Sequence, residues 1–594
     1  MVRLKSSFAC WLIPFILLFT EKVKSQSIPS LKPDTLIFQD LSQFEHIKGG
    51  NWVLAANISA NRNKPQDLLV KKGKGILVYL PKQKGSKTIQ TKLVHGDIDL
   101  DMDFLLSKSA SFEVLLHGKY KVEITDSWLK KNSSAIKAPG LWQHLSIQFK
   151  APVFDANGRK IQDARFEEIL INNQPIRTLP NLYPDRERTL KDEKGNAGTA
   201  LKGKNTSFAI RNIRYKVYKK EEIRLSDIRF AVYNGLHKTV DTLKTLKPKR
   251  TGHTDTLSHR VGDRKSQLVF EGIADIPADG NYLFRLTAGG GAWLFIDGKL
   301  MVENRGSRDF EKPFYAEKTL KKGKYPFKVV YSNSDECLVI HYEGPKIPWR
   351  SLTTMASVRL SEKFDPLENK VNNKPVLQRG FMLLNGMVNP YIAAVGIPGN
   401  TGSDGLNYAY DMKNYALSAV WHGKYIDVSN MWTERGEKQL EIPLGAKLNL
   451  SQKPLLSKHL YENQSWPDSV LLPEGVYQNR GYRLNSEGFP QFYYALGATS
   501  VEDLIYPNNE KSGLTRVLKI TNPSEQYYCL LGEGKTLEKL DDGSFTIDDK
   551  NYYISNLEAR GLKVSVAHGL QGDKLYITLA PQKEPVTIKY DMIW

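Results

Sequence analysis

The stretch HGDIDLDMDF, His95 to Phe104, sets an aspartate at every second position. Asp97, Asp99, Asp101 and Asp103 alternate with Ile98, Leu100, Met102 and Phe104. Carboxylates at this spacing can hold a metal ion, do acid–base chemistry, or simply face water. A second chemically able group lies far downstream: Asp411, Trp421, His422, Asp427, Trp432, Glu434 and Arg435 share one stretch rich in aromatics and turns. An aromatic face suits the apolar face of a sugar ring, and carboxylates accept its hydroxyls. This stretch could therefore line a sugar cleft, with Trp421 and Trp432 as binding platforms. The alternative makes both tryptophans core residues and His422, beside Gly423, a turn residue. The run Thr287 to Gly291, TAGGG, is not a nucleotide loop, because it lies between strands and no Lys-Ser/Thr pair follows. No spacing of Cys, His, Asp or Glu implies a metal, a haem or another cofactor.

The elements that must position these residues are strands. Period-two alternation means one buried and one polar face. Short alternating runs recur throughout, among them WVLAANISA, GILVYL and HLSIQFKA, between Gly, Asn, Pro and Lys turns. No long helical period is present, and the fold class is all-β, built of antiparallel sandwiches. At 594 residues the chain exceeds one core. Three blocks stand out, 31–218, 223–345 and 378–594, with a charged, proline-containing linker over 346–377. Residues 1–27 have a basic start (Arg3, Lys5) and an apolar run from Phe8 to Phe19, the pattern of an export signal. That implies a periplasmic or secreted protein, with a signal anchor as the weaker alternative. Cys337 and Cys529 lie in different blocks and read as buried free thiols. The formal charge of +20 is spread along the chain without nucleic-acid motifs. It points to acidic polymers or a solvated surface, and away from nucleic acid.

Within the first block, HGDIDLDMDFLL, FEVLLHGKYKVEITDSW, PGLWQHLSIQF, EEILINNQPI and FAIRNIRYK occur in the order found in the 3-keto-disaccharide hydrolase family, also described as 3-keto-glucoside lyase and hydratase domains. The block resembles that family most closely at the Trp142 segment, the Asn172 turn and Arg211–Asn212–Ile213. The resemblance implies a concanavalin-like jelly roll for the first block; the alternating runs of the second and third blocks read as two further β-sandwich domains. It also implies cleavage of a 3-keto-glycoside by hydrolysis or elimination at C1–C2. A ketone at C3 acidifies the C2 proton, so a base must remove it and a donor must steady the enolate. Carried over to this chain, the family's polar positions hold His117, Lys121, Glu123 and Asp126 as the catalytic set. Only Tyr120 and Asp126 match cleanly, and Leu201–Asn205 lacks the family's histidine. Parity along the strand puts His117, Lys121 and Glu123 on one face. A lysine beside Glu123 would lower its pKa and make it a poorer base. Trp128 and Trp142 are the sugar-stacking platforms in this reading, and core residues in the other.

The second block contains GNYLFRL, AWLFIDGKLMVEN and KGKYPFKVVY, and it resembles the carbohydrate-binding domain named after the anthrax protective antigen. Asp297-Gly298 fits a tight hairpin turn. Sugar-binding members often carry a paired-aspartate calcium motif, and no adjacent aspartates occur in this block.

Two functions follow. One is an exported enzyme acting on a 3-keto-glycoside through the first block. The other is a non-catalytic glycan-binding or scaffold protein. Both imply a carbohydrate partner. They differ in whether His117, Glu123 and Asp126 converge in one pocket. The aspartate row itself reads as a sheet seam, with Arg211, Arg214 and Lys216 of the block's last strand as its cross-strand partners.

Overall fold

The computed structural model describes residues 29–594 apart from 46–49, 65–67, 82–84, 86, 126–132, 177–192, 238–239, 307–312, 355–365, 400–403, 433–439, 459, 461–464 and 471–475. The segment read as an export signal lies outside the described residues. The chain is all-β, as its alternation predicts, and its sheets are antiparallel.

In the first block an eight-stranded sheet faces a four-stranded one. The larger sheet has the aspartate strand, Asp97–Leu106, near its centre, between Trp142–Lys150 and Phe208–Tyr218. The smaller is ordered Thr88–His95, Ala197–Gly203, Ser111–Leu116, Tyr120–Thr125. Leu100, Met102 and Phe104 point between the sheets and pack with Phe112, Val114 and Val122. Alternation therefore sends the aspartates to the outer face of the large sheet.

The second block pairs a six-stranded sheet with a four-stranded one around a separate apolar cluster. Asp297 and Gly298 both adopt positive φ (54° and 71°) in the turn joining Gly291–Ile296 to Lys299–Arg305, the geometry expected of this dipeptide. Ile347–Ser351 still pairs with Leu338–Gly344, so the stretch assigned to a linker begins as a strand of this block. Gly290, at φ 141°, has a steric reason to be glycine: a Cβ there would meet the Ser332 carbonyl oxygen at 2.2 Å.

The third block is larger than one simple sandwich. A five-stranded sheet and a four-stranded sheet share a continuous apolar cluster with an eight-stranded sheet. A buried ion pair crosses this core. Arg516 donates to both oxygens of Asp503, at 3.0 and 2.6 Å, and to the Tyr415 carbonyl. Tyr410, from the five-stranded sheet, donates to Asp503 at 2.7 Å. Cys337 and Cys529 are buried and are not joined in a disulfide.

The blocks dock on one another. Buried Glu343 of the second block pairs with Lys216 and accepts the Leu31 amide at 2.8 Å. Tyr553 of the third block donates to the Pro139 carbonyl at 2.9 Å, and Trp142 N–H donates to the Lys550 carbonyl.

Removing one member of a buried pair strands the other without a partner. Arg516→Met is expected to destabilise the third block by about 3–5 kcal/mol. Pairing it with Asp503→Leu should recover much of that loss. Urea unfolding of the three proteins checks this, and an unchanged midpoint for the single variant would refute it.

Candidate functional site

The residues assigned to catalysis in the first block do not converge. His117 sits in the turn between Ser111–Leu116 and Tyr120–Thr125 with φ of 53°. That left-handed turn breaks the strand parity count, and its ring points inward. It packs against His95, Tyr120 and Phe149 at centroid distances of 4.9, 6.0 and 5.2 Å. Burial holds its pKa below the ordinary histidine value. The expectation that His117 shares a face with Lys121 and Glu123 is thus corrected.

Lys121 and Glu123 do share a face, on the outside of the small sheet. Lys121 lies 3.1 Å from Glu123, Lys204 also bonds Glu123, and Lys202 lies 3.2 Å from Glu113. Burial pushes the Glu123 pKa up, but the bonds from Lys204 and Lys121 outweigh it, and the net shift is downward. A carboxylate so stabilised is a weak base. Asp126 and Trp128 lie outside the described residues.

The tryptophan platforms need an open face, and two of them have none. Trp142 is 5 % exposed and covered by the Arg211 guanidinium, 4.0 Å above its ring. Trp421 is fully buried, its indole N–H donating to the Tyr425 carbonyl at 2.9 Å. Both are packing residues, which corrects their assignment as sugar platforms. The side chain of Trp432, and Glu434 and Arg435, lie outside the described residues. Asp411 and Asp427 are turn-forming carboxylates: Asp411 accepts the Lys413 amide and Asp427 the Ser429 amide, at 2.7 and 2.8 Å. His422 lies against Trp594, 4.5 Å between centroids, and burial lowers its pKa to about 4.

The aspartate row stands opposite the basic strand as expected, although Lys216 turns to Glu343 of the second block for its ion pair. Arg211 faces Asp103, Arg214 faces Asp101 and Lys216 faces Asp99 across the ladder. Arg211 forms an ion pair with Asp103 at 3.5 Å. The other flank supplies partners that sequence reasoning missed. His144 lies between two aspartates, 3.0 Å from Asp103 and 3.6 Å from Asp101. Lys150 lies 3.3 Å from Asp97, and Tyr218 donates to Asp99 at 2.6 Å. The signal for His144 was its alternation with Leu145 in QHLSIQF, which sends it to the polar face of a neighbouring strand. The Trp142 strand, the Asn172 turn and Arg211–Asn212–Ile213 meet here. Asn172 accepts the His144 amide at 2.9 Å, and Asn212 donates to Asp103 at 2.7 Å. Arg211 also reaches Asp549 of the third block at 2.7 Å, so the row is part of an inter-block seam.

A different surface carries an open groove of about 860 Å³, on the outer face of the six-stranded sheet of the second block. One register level crosses five strands there. His253 faces Arg229, Arg229 faces Glu271, Glu271 faces Lys328, and Lys328 faces Phe295. All five line the groove. Glu271 and Lys328 form an ion pair at 3.1 Å. The next level on that face, Ala231, Val269, Val330 and Trp293, is apolar and packs with Leu243 of the turn Val240–Thr245. Arg224–Asn234 carries a one-residue bulge between Ser226 and Arg229, with Asp227 at φ 53°, and Asp227 joins the groove. These residues escaped sequence reasoning because they come from separate strands and share no local motif.

Comparison with known proteins fits the second block. Residues 250–353 match the PA14 domain. This is a carbohydrate-binding type of domain, and it contains most of the groove. No curated protein matches the chain. Among solved structures, a "putative glycosyl hydrolase" from Parabacteroides distasonis shares 18% identity over 31% of this chain and 83% of its own, with TM-score 0.22. An anti-sigma factor domain-containing protein from Clostridium clariflavum shares 13% identity over 43% and 97%, with TM-score 0.17. At such TM-scores neither likeness bears on fold or role.

The seam makes a pH prediction. Hydrogen bonds from His144 to Asp101 and Asp103 raise its pKa from 6.5 to about 9. A raised folded-state value stabilises fully below pH 6.5 and is lost as pH rises through about 9. Since the side chain is about one-third exposed, the contribution is on the order of 1–2 kcal/mol. Thermal melting from neutral to alkaline pH should show wild type losing its advantage over His144→Gln. Parallel melting curves across that range would refute the pairing.

Proposed function

We propose that this protein is an exported, non-catalytic carbohydrate-binding protein, with its glycan contact in the second block and the first and third blocks as scaffold. One observation carries the reading: the segment that matches the PA14 domain also bears an open groove that joins charged groups to an aromatic ring. A sugar needs this combination of directional polar groups and an apolar face. Export rests on the basic and apolar pattern of the first residues.

Cleavage of a 3-keto-glycoside in the first block would require a base and a donor in one pocket. His117 instead packs in the core, while Glu123 is ion-paired on the outer face of the small sheet. That separation favours binding over catalysis.

Two assays on the full chain separate the readings. Affinity electrophoresis through gels containing polysaccharide should retard the protein, and incubation with a 3-keto-glucoside should leave it unconsumed. Turnover abolished by Glu123→Gln would reinstate the enzyme. Free migration in every polysaccharide gel would dismiss the binding reading.

A further inference from the structure

Resting on the carbohydrate-binding reading, we propose that the level Arg229–Glu271–Lys328–Phe295 is the glycan subsite, and that its ligand is a neutral pyranose oligosaccharide. The argument begins with which part of the sheet is left uncovered. The apolar level above, with Val269 and Trp293, is roofed by Leu243. The groove opens where that roof ends, at Val240 and Asp241. Below the polar level lie Ile273 and Pro326, paired with each other across the ladder and also lining the groove. A polar row is therefore flanked by apolar surface on both sides.

That layout matches a sugar ring, whose hydroxyls lie round its edge and whose C–H groups form apolar faces. Phe295 offers its partly exposed ring to the C–H face. Glu271 accepts hydroxyl protons, while Arg229 and Lys328 donate to hydroxyl oxygens. From Phe295 to Arg229 the row spans three strand spacings, about 14 Å, long enough for more than one ring. The groove volume is in the range of pockets that take small ligands.

Charge sets the ligand class. The whole chain carries +20, which by itself suggests an acidic polymer. In the groove, however, the cations Arg229 and Lys328 face the carboxylates Asp227, Asp241 and Glu271. An anionic sugar would gain no net attraction there, whereas a neutral one can use both kinds of group.

The test uses the full chain and isothermal titration with cellotetraose and mannotetraose as neutral probes and polygalacturonate as the anionic one. Binding to a neutral probe is expected, insensitive to added salt. Phe295→Ala and Glu271→Gln should each weaken it about tenfold, the equivalent of about 1.4 kcal/mol. Lys589→Ala, on the third block, should leave it unchanged. Thermal melting confirms that each variant is folded, and Glu271→Gln decides the matter if the loss of the Phe295 ring disturbs packing. Neutral-probe binding that survives both groove substitutions would overturn the subsite and keep the carbohydrate reading. Binding confined to polygalacturonate would overturn the ligand class. Failure to bind any of the three probes would overturn the proposal, and the polysaccharide gels then tell whether the broader reading falls with it.

Discussion

Antiparallel register is the constraint on which the rest of this protein depends. Side chains alternate with a period of two, so pairing decides which residues from distant parts of the chain stand side by side. Three rows show the consequence. Asp103 stands between His144 and Arg211. Glu113 stands between Lys202 and Glu123. Glu271 stands between Arg229 and Lys328. A slip of one residue would turn each row into the core and push Leu100, Val114 or Phe270 into water. Burial of those apolar neighbours holds the rows in place, at about 25 cal/mol per Å² of apolar surface removed from water. The charged rows are consequences of the register and add little of their own where they face solvent.

What separates the rows is the surroundings that docking gives them. The outer face of the large sheet in the first block lies against the third block. Trp142 is covered, Arg211 bridges to Asp549, and Asn57 meets Lys550. The outer face of the small sheet is satisfied by its own lysines and glutamates. On the six-stranded sheet of the second block, a mixed polar and apolar level opens into a groove. The first block, which invited the enzymatic reading, pairs its polar faces internally or against the third block, and the block with the open groove matches the PA14 domain.

Local chemistry was legible wherever one segment carried it. Asp297-Gly298 demanded a tight turn, and the structure has both residues at positive φ. The aspartate alternation demanded an outward polar row, and the basic strand Phe208–Tyr218 is its neighbour. Sequence spacing misplaced His117 because two left-handed residues in the turn, His117 and Gly118, reset the parity of the hairpin. Trp142 and Trp421 could be read as platforms or as core, since an aromatic residue suits both. Only the guanidinium over one and the complete burial of the other distinguish these roles.

The sequence by itself determined the all-β class, the polar and apolar face of each strand, and the turns. These properties are set by neighbours within a few residues, through side-chain alternation and backbone sterics. Tertiary structure alone decided which polar faces were buried between blocks and which stayed open. It joined Arg229, Glu271, Lys328 and Phe295 into one level, and it divided His117 from Glu123. The physical reason is that cross-strand register and sheet docking are settled by contacts between residues far apart in the chain, through the packing of whole faces, which no local pattern encodes.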